Sequence, residues 1–305
     1  MISLLLPELI ETIIDHLVET SDGDLRYHRS SSLKAVSLVC RSLVAPSQAR
    51  LFATISLEPP PPRSTRHGGG RETVFISTRQ LKESSIAAFS RVTAASPHLL
   101  GYVRRLNLYG SPYPLDPPLP PALHTDWLSS QSHHLATFMP NLAPRMRSFG
   151  IYDVDWNTLS PEVLDAISSI LRSSRLTSLT LNNTMNIPIP VLASCAHLQH
   201  FTLRNSMGGY ESTVKPPNTW DDAALTWGPP PNHQKLQLIS LKLLAEDSII
   251  DWFSMENCLF DISHLRHLAL LRGGQDFTKF FQTCSSSLES FTMNGSSISL
   301  PSFFD

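Results

Sequence analysis

The sequence predicts an α/β chain, with a short all-helical module at the N-terminus and an array of strand–helix repeats behind it. Two observations carry most of this. The spacing apolar-x-x-apolar-x-apolar recurs seven times in one phase, from Val103 to Met293. Between recurrences lie segments of helical period, of which residues 161–171 are the clearest. A third observation sets the module apart: a Pro- and Gly-rich stretch separates the first 57 residues from the repeats.

Composition bounds the reading. Of 305 residues, 41% are hydrophobic, enough to build a core rather than a disordered chain. The net charge of -2 provides no basic field for nucleic acid or an anionic membrane. Cys40, Cys195, Cys258 and Cys284 are scattered without a CxxC pair, which predicts buried free thiols in a reducing compartment. The opening Met1–Leu6 run lacks a basic flank, and Pro7, Glu8, Glu11 and Asp15 interrupt it, so no signal peptide is expected. No stretch reaches membrane-span length. The expectation is an intracellular protein, cytoplasmic and/or nuclear.

The first element is a helix opening at Pro7, where the missing N–H has no cost, with Glu8 complementing the helix dipole. Leu9, Ile10, Ile13, Ile14 and Leu17 recur on one face. After a polar loop, Ser21 to Ser32, a second apolar segment holds Leu33, Val36, Leu38 and Val39. A third helix is predicted to open at Pro46 and to carry Ala49 and Leu51, with Phe52 and Ile55 closing the unit. Three short helices make a core too small to be comfortable alone, so this is a module with apolar faces to offer a partner.

Leu6-Pro7-Glu8-Leu9-Ile10, then Ser37-Leu38-Val39-Cys40-Arg41-Ser42 and Ala49-Arg50-Leu51-Phe52, resemble the start, second half and end of an F-box of the fungal type. The resemblance covers residues 1–57. It implies docking on a Skp-type adaptor, and through it on cullin and RING subunits. The implied contacts are Leu6, Pro7, Leu9, Ile10, Ile13, Ile14, Val36, Val39 and Leu43. The chain departs from the family in having Leu43 where an aromatic residue is common, and in its longer Ser21–Ser32 loop.

Residues 58–97 read as linker and transition, with Pro59–Pro62 stiff and Gly68–Gly70 flexible. The glycines are no phosphate loop, since no Lys-Ser/Thr follows. The repeats then occupy 98–305, with Pro-rich insertions near 112–121 and 215–233. Their apolar triplets are Val103-Leu106-Leu108, Met146-Phe149-Ile151, Leu176-Leu179-Leu181, Leu198-Phe201-Leu203, Leu236-Ile239-Leu241, Leu265-Leu268-Leu270 and Leu288-Phe291-Met293. Leu181 to Leu203 is 22 residues and Leu270 to Met293 is 23. Both fit the period of leucine-rich repeats, which the chain resembles in degenerate form. Asn182 or Asn183, Asn205 and Asn294 lie near the turn where such repeats often carry asparagine. Residues 161–171 are predicted as an outer helix with Ser160 as N-cap, Pro161 at N1, and Val163, Leu164, Ile167, Ile170 and Leu171 on one face. The expected whole is a curved solenoid, with a parallel sheet inside and helices outside.

Tempting chemistry is set aside on physical grounds. His197-x-x-His200 and His264-x-x-His267 have metal-like spacing. Strand residues three apart point to opposite faces, however, and repeat homology explains the spacing. No Gly-x-Ser-x-Gly, Gly-x-Gly-x-x-Gly, Walker or His-Glu-x-x-His motif occurs, so neither an enzyme nor a cofactor is expected. With the triplets inside, the alternate strand residues form the binding face. Its candidates are Arg105, Asn107, Tyr109, Tyr152, His200, Thr202, Arg204, Lys242 and His267. The two resemblances together imply a substrate receptor of an SCF-type ubiquitin ligase. The alternative is a plain repeat scaffold whose N-terminal helices cap the array.

Overall fold

The computed structural model describes residues 35, 38, 41–59, 84–110, 126–184, 186–204, 235–244, 253, 258–270, 278–293 and 296–299. Among the expected adaptor contacts, Leu6, Pro7, Leu9, Ile10, Ile13, Ile14, Val36 and Val39 lie outside these residues, as do both Pro-rich insertions. Leu43 lies within them, half-buried.

The chain is α/β and built on a parallel sheet. Helix α1 (Arg41–Phe52) leads directly into strand β1 (Thr54–Leu57). The helix starts earlier than predicted: nothing in Arg41 to Ala45 breaks a helix, and Pro46 lies inside it, forgoing one hydrogen bond. Then come α2 (Ser85–Ala95), a 3-10 turn at Pro97–Gly101, and β2 (Arg105–Tyr109). Thus part of the stretch expected as linker is helical. Ser84 caps α2 by accepting from the Ala87 N–H at 3.0 Å, and Ile86 and Phe89 anchor it in the core.

Helices α3 (Asp126–Ser130) and α4 (Ser132–Leu142) precede β3 (Ser148–Tyr152), and α5 (Pro161–Leu171) precedes β4 (Ser178–Asn182). Ser160 takes the predicted N-cap position, but its hydroxyl makes no capping bond. The buried face of α5 is Val163, Ala166, Ile167, Ile170 and Leu171, with Leu164 half-buried at its margin. Helix α5 packs along α4, and α2 packs against α4 through an edge-on Phe89–Phe138 contact at 5.0 Å.

Beyond β4, α6 (Ile189–Ala193) is a single short turn before β5 (His200–Arg204). Two-residue strands β6 (Leu236–Gln237) and β8 (Phe260–Asp261) pair with each other, flanking β7 (Ser240–Leu244) in the chain. The remaining elements are β9 (His267–Leu270), α7 (Thr278–Cys284), β10 (Ser290–Met293) and β11 (Ser296–Ser299).

Among the described residues the main sheet has nine strands in the order β1-β2-β3-β4-β5-β7-β9-β10-β11. It grows by one strand at a time in chain order, and each pair is parallel until β11 returns antiparallel on β10. The chain therefore adds an antiparallel strand of its own at this end of the sheet. The backbone just before each strand is stitched as well: Arg104 N–H donates to Ala53, Arg147 to Arg104, Thr177 to Arg147 and Gln199 to Thr177, all at 2.9–3.0 Å.

The core is the sum of the triplets. Those of β2, β3, β4, β5 and β9 are buried throughout, each apolar side chain contributing about 1.5–3 kcal/mol when withdrawn from water. In β7 the buried triplet is Leu238-Leu241-Leu243, two residues on from the predicted Leu236-Ile239-Leu241. Leucine stands at 236, 238, 241 and 243, so two phases satisfy the pattern locally, and pairing with β5 selects one. In β10 burial thins: Leu288 and Phe291 are half-buried and Met293 is 38% exposed.

Candidate functional site

Period two on a strand sends alternate residues to opposite faces. Because the strands run parallel and in register, the outward residues line up in rows across the sheet. The first row runs Thr54, Arg105, Ser148, Ser178, His200, Ser240, His267, Ser290. The second contains Ser56, Asn107, Gly150, Thr180, Thr202 and Lys242. The third contains Tyr109, Tyr152, Asn182, Arg204 and Leu244.

All nine predicted binding-face residues fall in these rows. Arg105, His200, Arg204, Lys242 and His267 are exposed, and Asn107, Tyr109, Tyr152 and Thr202 are half-buried. At its N-terminal edge the face is wider than predicted by one strand. Thr54 and Ser56 of β1 extend it, and a sequence signal for them exists: Phe52-Ile55-Leu57 has the triplet spacing and packs into the same core. The sequence expectation closes the N-terminal module there instead.

Local contacts shape the face. The Tyr109 and Tyr152 rings stack at 4.4 Å with 14° between planes. Beside them Gly150 leaves room: a Cβ there would come within 2.6 Å of the Tyr152 ring and 2.7 Å of Asn107 Oδ1. His267 Nδ1 and Ser290 Oγ share a hydrogen bond of 2.9 Å. His200 and His267 are separated by the intervening strand β7, so they stand roughly 10 Å apart at the usual strand spacing. His197 and His264 sit in the turns before β5 and β9, off the sheet face. Among the described residues no three of His, Cys, Asp and Glu gather where they could hold a metal ion.

Comparison with protein-family models, curated proteins and solved structures finds no match to this chain. Function must therefore be argued from the face itself. Among the described residues no helix is long and apolar enough to cross a membrane.

At the C-terminal ends of β3 and β4 the chain turns through left-handed backbone at Asp153 (φ 54°), Asn183 (φ 50°) and Asn186 (φ 58°), a region Asn and Asp tolerate better than most residues. Asn183 Nδ2 donates to Asp153 Oδ1 at 2.9 Å, and Asn186 Nδ2 to Asp155 Oδ1 at 2.8 Å. Of the two asparagines offered for the turn, Asn183 takes it and Asn182 stays on the sheet face; Asn205 and Asn294 lie outside the described residues. These polar links brace the rim of the face.

The described thiols belong to the core. Burial pushes Cys195 and Cys258 up to about 12 and Cys284 to about 11. They are neutral and unsuited to nucleophilic chemistry.

Proposed function

We propose that the chain is the substrate-recognition subunit of an SCF-type E3 ubiquitin ligase. Its F-box binds a Skp-type adaptor, and the outward face of its leucine-rich-repeat solenoid holds a protein substrate. The observation that carries the reading is the face: three rows of polar, basic and aromatic side chains on rigid, in-register strands, with Arg and Tyr among them, the types favoured at binding hot spots. Catalysis in such a complex is proximity, so the chain needs no reactive group of its own.

One observation favours a second reading, a non-ligase scaffold. Helix α1 runs directly into β1, and Phe52 and Ile55 pack on the repeat core, as they would if the N-terminal helices cap the array.

A pull-down with purified Skp-type adaptor separates the two. The wild-type chain is expected to bind, and an Ile10→Asp, Ile13→Asp double variant to lose binding while remaining folded. No binding by a well-folded wild type would sink the ligase reading in favour of the scaffold.

A further inference from the structure

The end of the sheet where strands β2 to β4 begin carries a feature that substrate reception leaves unused. A cavity of about 250 Å³ opens there, lined by Arg104, Pro144, Arg145, Arg147 and Arg175. Among the described residues it has four arginines and no carboxylate. The repeat brings them together. Arg104 and Arg147 each stand just before a strand, joined by the Arg147 N–H to Arg104 carbonyl bond at 2.9 Å, so their Cα atoms are one strand spacing apart. Arg145 and Arg175 hold matching positions in the turns before β3 and β4.

The cluster is partly pre-organised. Arg104 Nη1 donates to the carbonyls of Gly101, at 2.7 Å, and Val103, at 3.1 Å. Arg145 comes in over the same turn, its Nη1 3.6 Å from where a Cβ on Gly101 would stand. All four side chains are exposed. Asp153 and Asp155 follow β3 at the opposite end of the sheet, so they do not compensate the cluster. In a chain of net charge -2, four clustered guanidiniums are a local device rather than a general basic surface.

We propose that this cavity binds a phosphoryl group. Guanidinium forks match tetrahedral phosphate oxygens with paired N–H donors, and four of them suit a dianion or a diphosphate better than a single carboxylate. The volume lies below the roughly 300–1,000 Å³ of pockets for drug-sized organic ligands, as a compact anion requires. The site is independent of ligase membership: it stands or falls on anion binding alone.

The test is titration calorimetry on the full chain at low ionic strength with three probes: inorganic phosphate, pyrophosphate and a short phosphoserine peptide. Saturable binding of at least one probe is expected, weakening as salt is added. Arg147→Gln and Arg175→Gln, both at exposed positions and expected to leave circular dichroism unchanged, are each expected to weaken it ~10-fold or more. Arg266→Gln, the same repeat position before β9, is expected to leave it unchanged. Pyrophosphate binding more tightly than the peptide assigns the site to a free polyphosphate; the reverse assigns it to a phosphorylated protein side chain. No binding of any probe by the folded wild type, or an equal loss in Arg266→Gln, overturns the proposal.

Discussion

Strands β2 to β4 and strands β5, β7 and β9 continue the same outward rows but are backed by different materials. Behind the first group lie three eleven-residue helices, α2, α4 and α5, packed on one another. Behind the second, among the described residues, lie the single turn α6, the seven-residue helix α7, the small β6–β8 pair and a phenylalanine cluster. Phe260 stacks on Phe201 at 5.1 Å and on Phe253 at 5.5 Å, and Phe280 meets Phe253 edge-on. The two halves nonetheless continue one register without a break. The difference teaches that a repeat of this kind needs its apolar triplet covered and its strand paired, and that the cover can come from helices packed on one another or from a cluster of phenylalanines, two of them, Phe253 and Phe280, on helical residues.

The largest effects should come from removing a ring from either backing. Phe149→Ala in the helix-backed half and Phe260→Ala in the phenylalanine-backed half are each expected to cost about 3–5 kcal/mol in urea unfolding. A loss below about 1 kcal/mol for Phe260→Ala would mean that the aromatic cluster is no true core, and the comparison would break.

The halves also differ in their thiols, because Cys195, Cys258 and Cys284 all lie on the phenylalanine-backed side. Their folded values, about 11–12, stand above the ordinary 9.0 because burial disfavours the thiolate. The stabilisation from neutral thiols is thus complete below pH 9 and lost as pH climbs toward about 12. The urea midpoint is expected to fall across that window, and a Cys195→Ala, Cys258→Ala variant to fall less steeply. An unchanged slope in the variant would rule the thiols out as its cause.

On the face, Gly150→Ala must displace the Tyr152 ring from its stack on Tyr109, at about 1 kcal/mol. Adding Tyr152→Ala should relieve most of that cost, and strict additivity of the two changes would show that the ring is not what the new methyl meets. The smallest effect belongs to the exposed Arg266–Glu289 pair, 3.5 Å apart with both side chains more than half in water. Glu289→Gln is expected to shift stability by less than about 0.5 kcal/mol, with calorimetric melting as the check.

Much of this was legible in the chain. The triplet spacing determined which strand residues turn inward, and thereby the outward positions from Arg105 to His267, because pleating ties facing to parity whatever lies across the sheet. Helix α5 was legible from Pro161 and its 3.6-residue apolar period. Tertiary structure decided what parity leaves open. It joined Phe52-Ile55-Leu57 to the sheet, chose Leu238 over Leu236 in a doubly phased stretch, folded Ser296–Ser299 back on β10, and gathered four arginines from separate turns around one cavity. All but the local β10–β11 hairpin depend on which backbones meet across tens of residues. Hydrogen bonding between strands settles that choice, and local periodicity does not encode it.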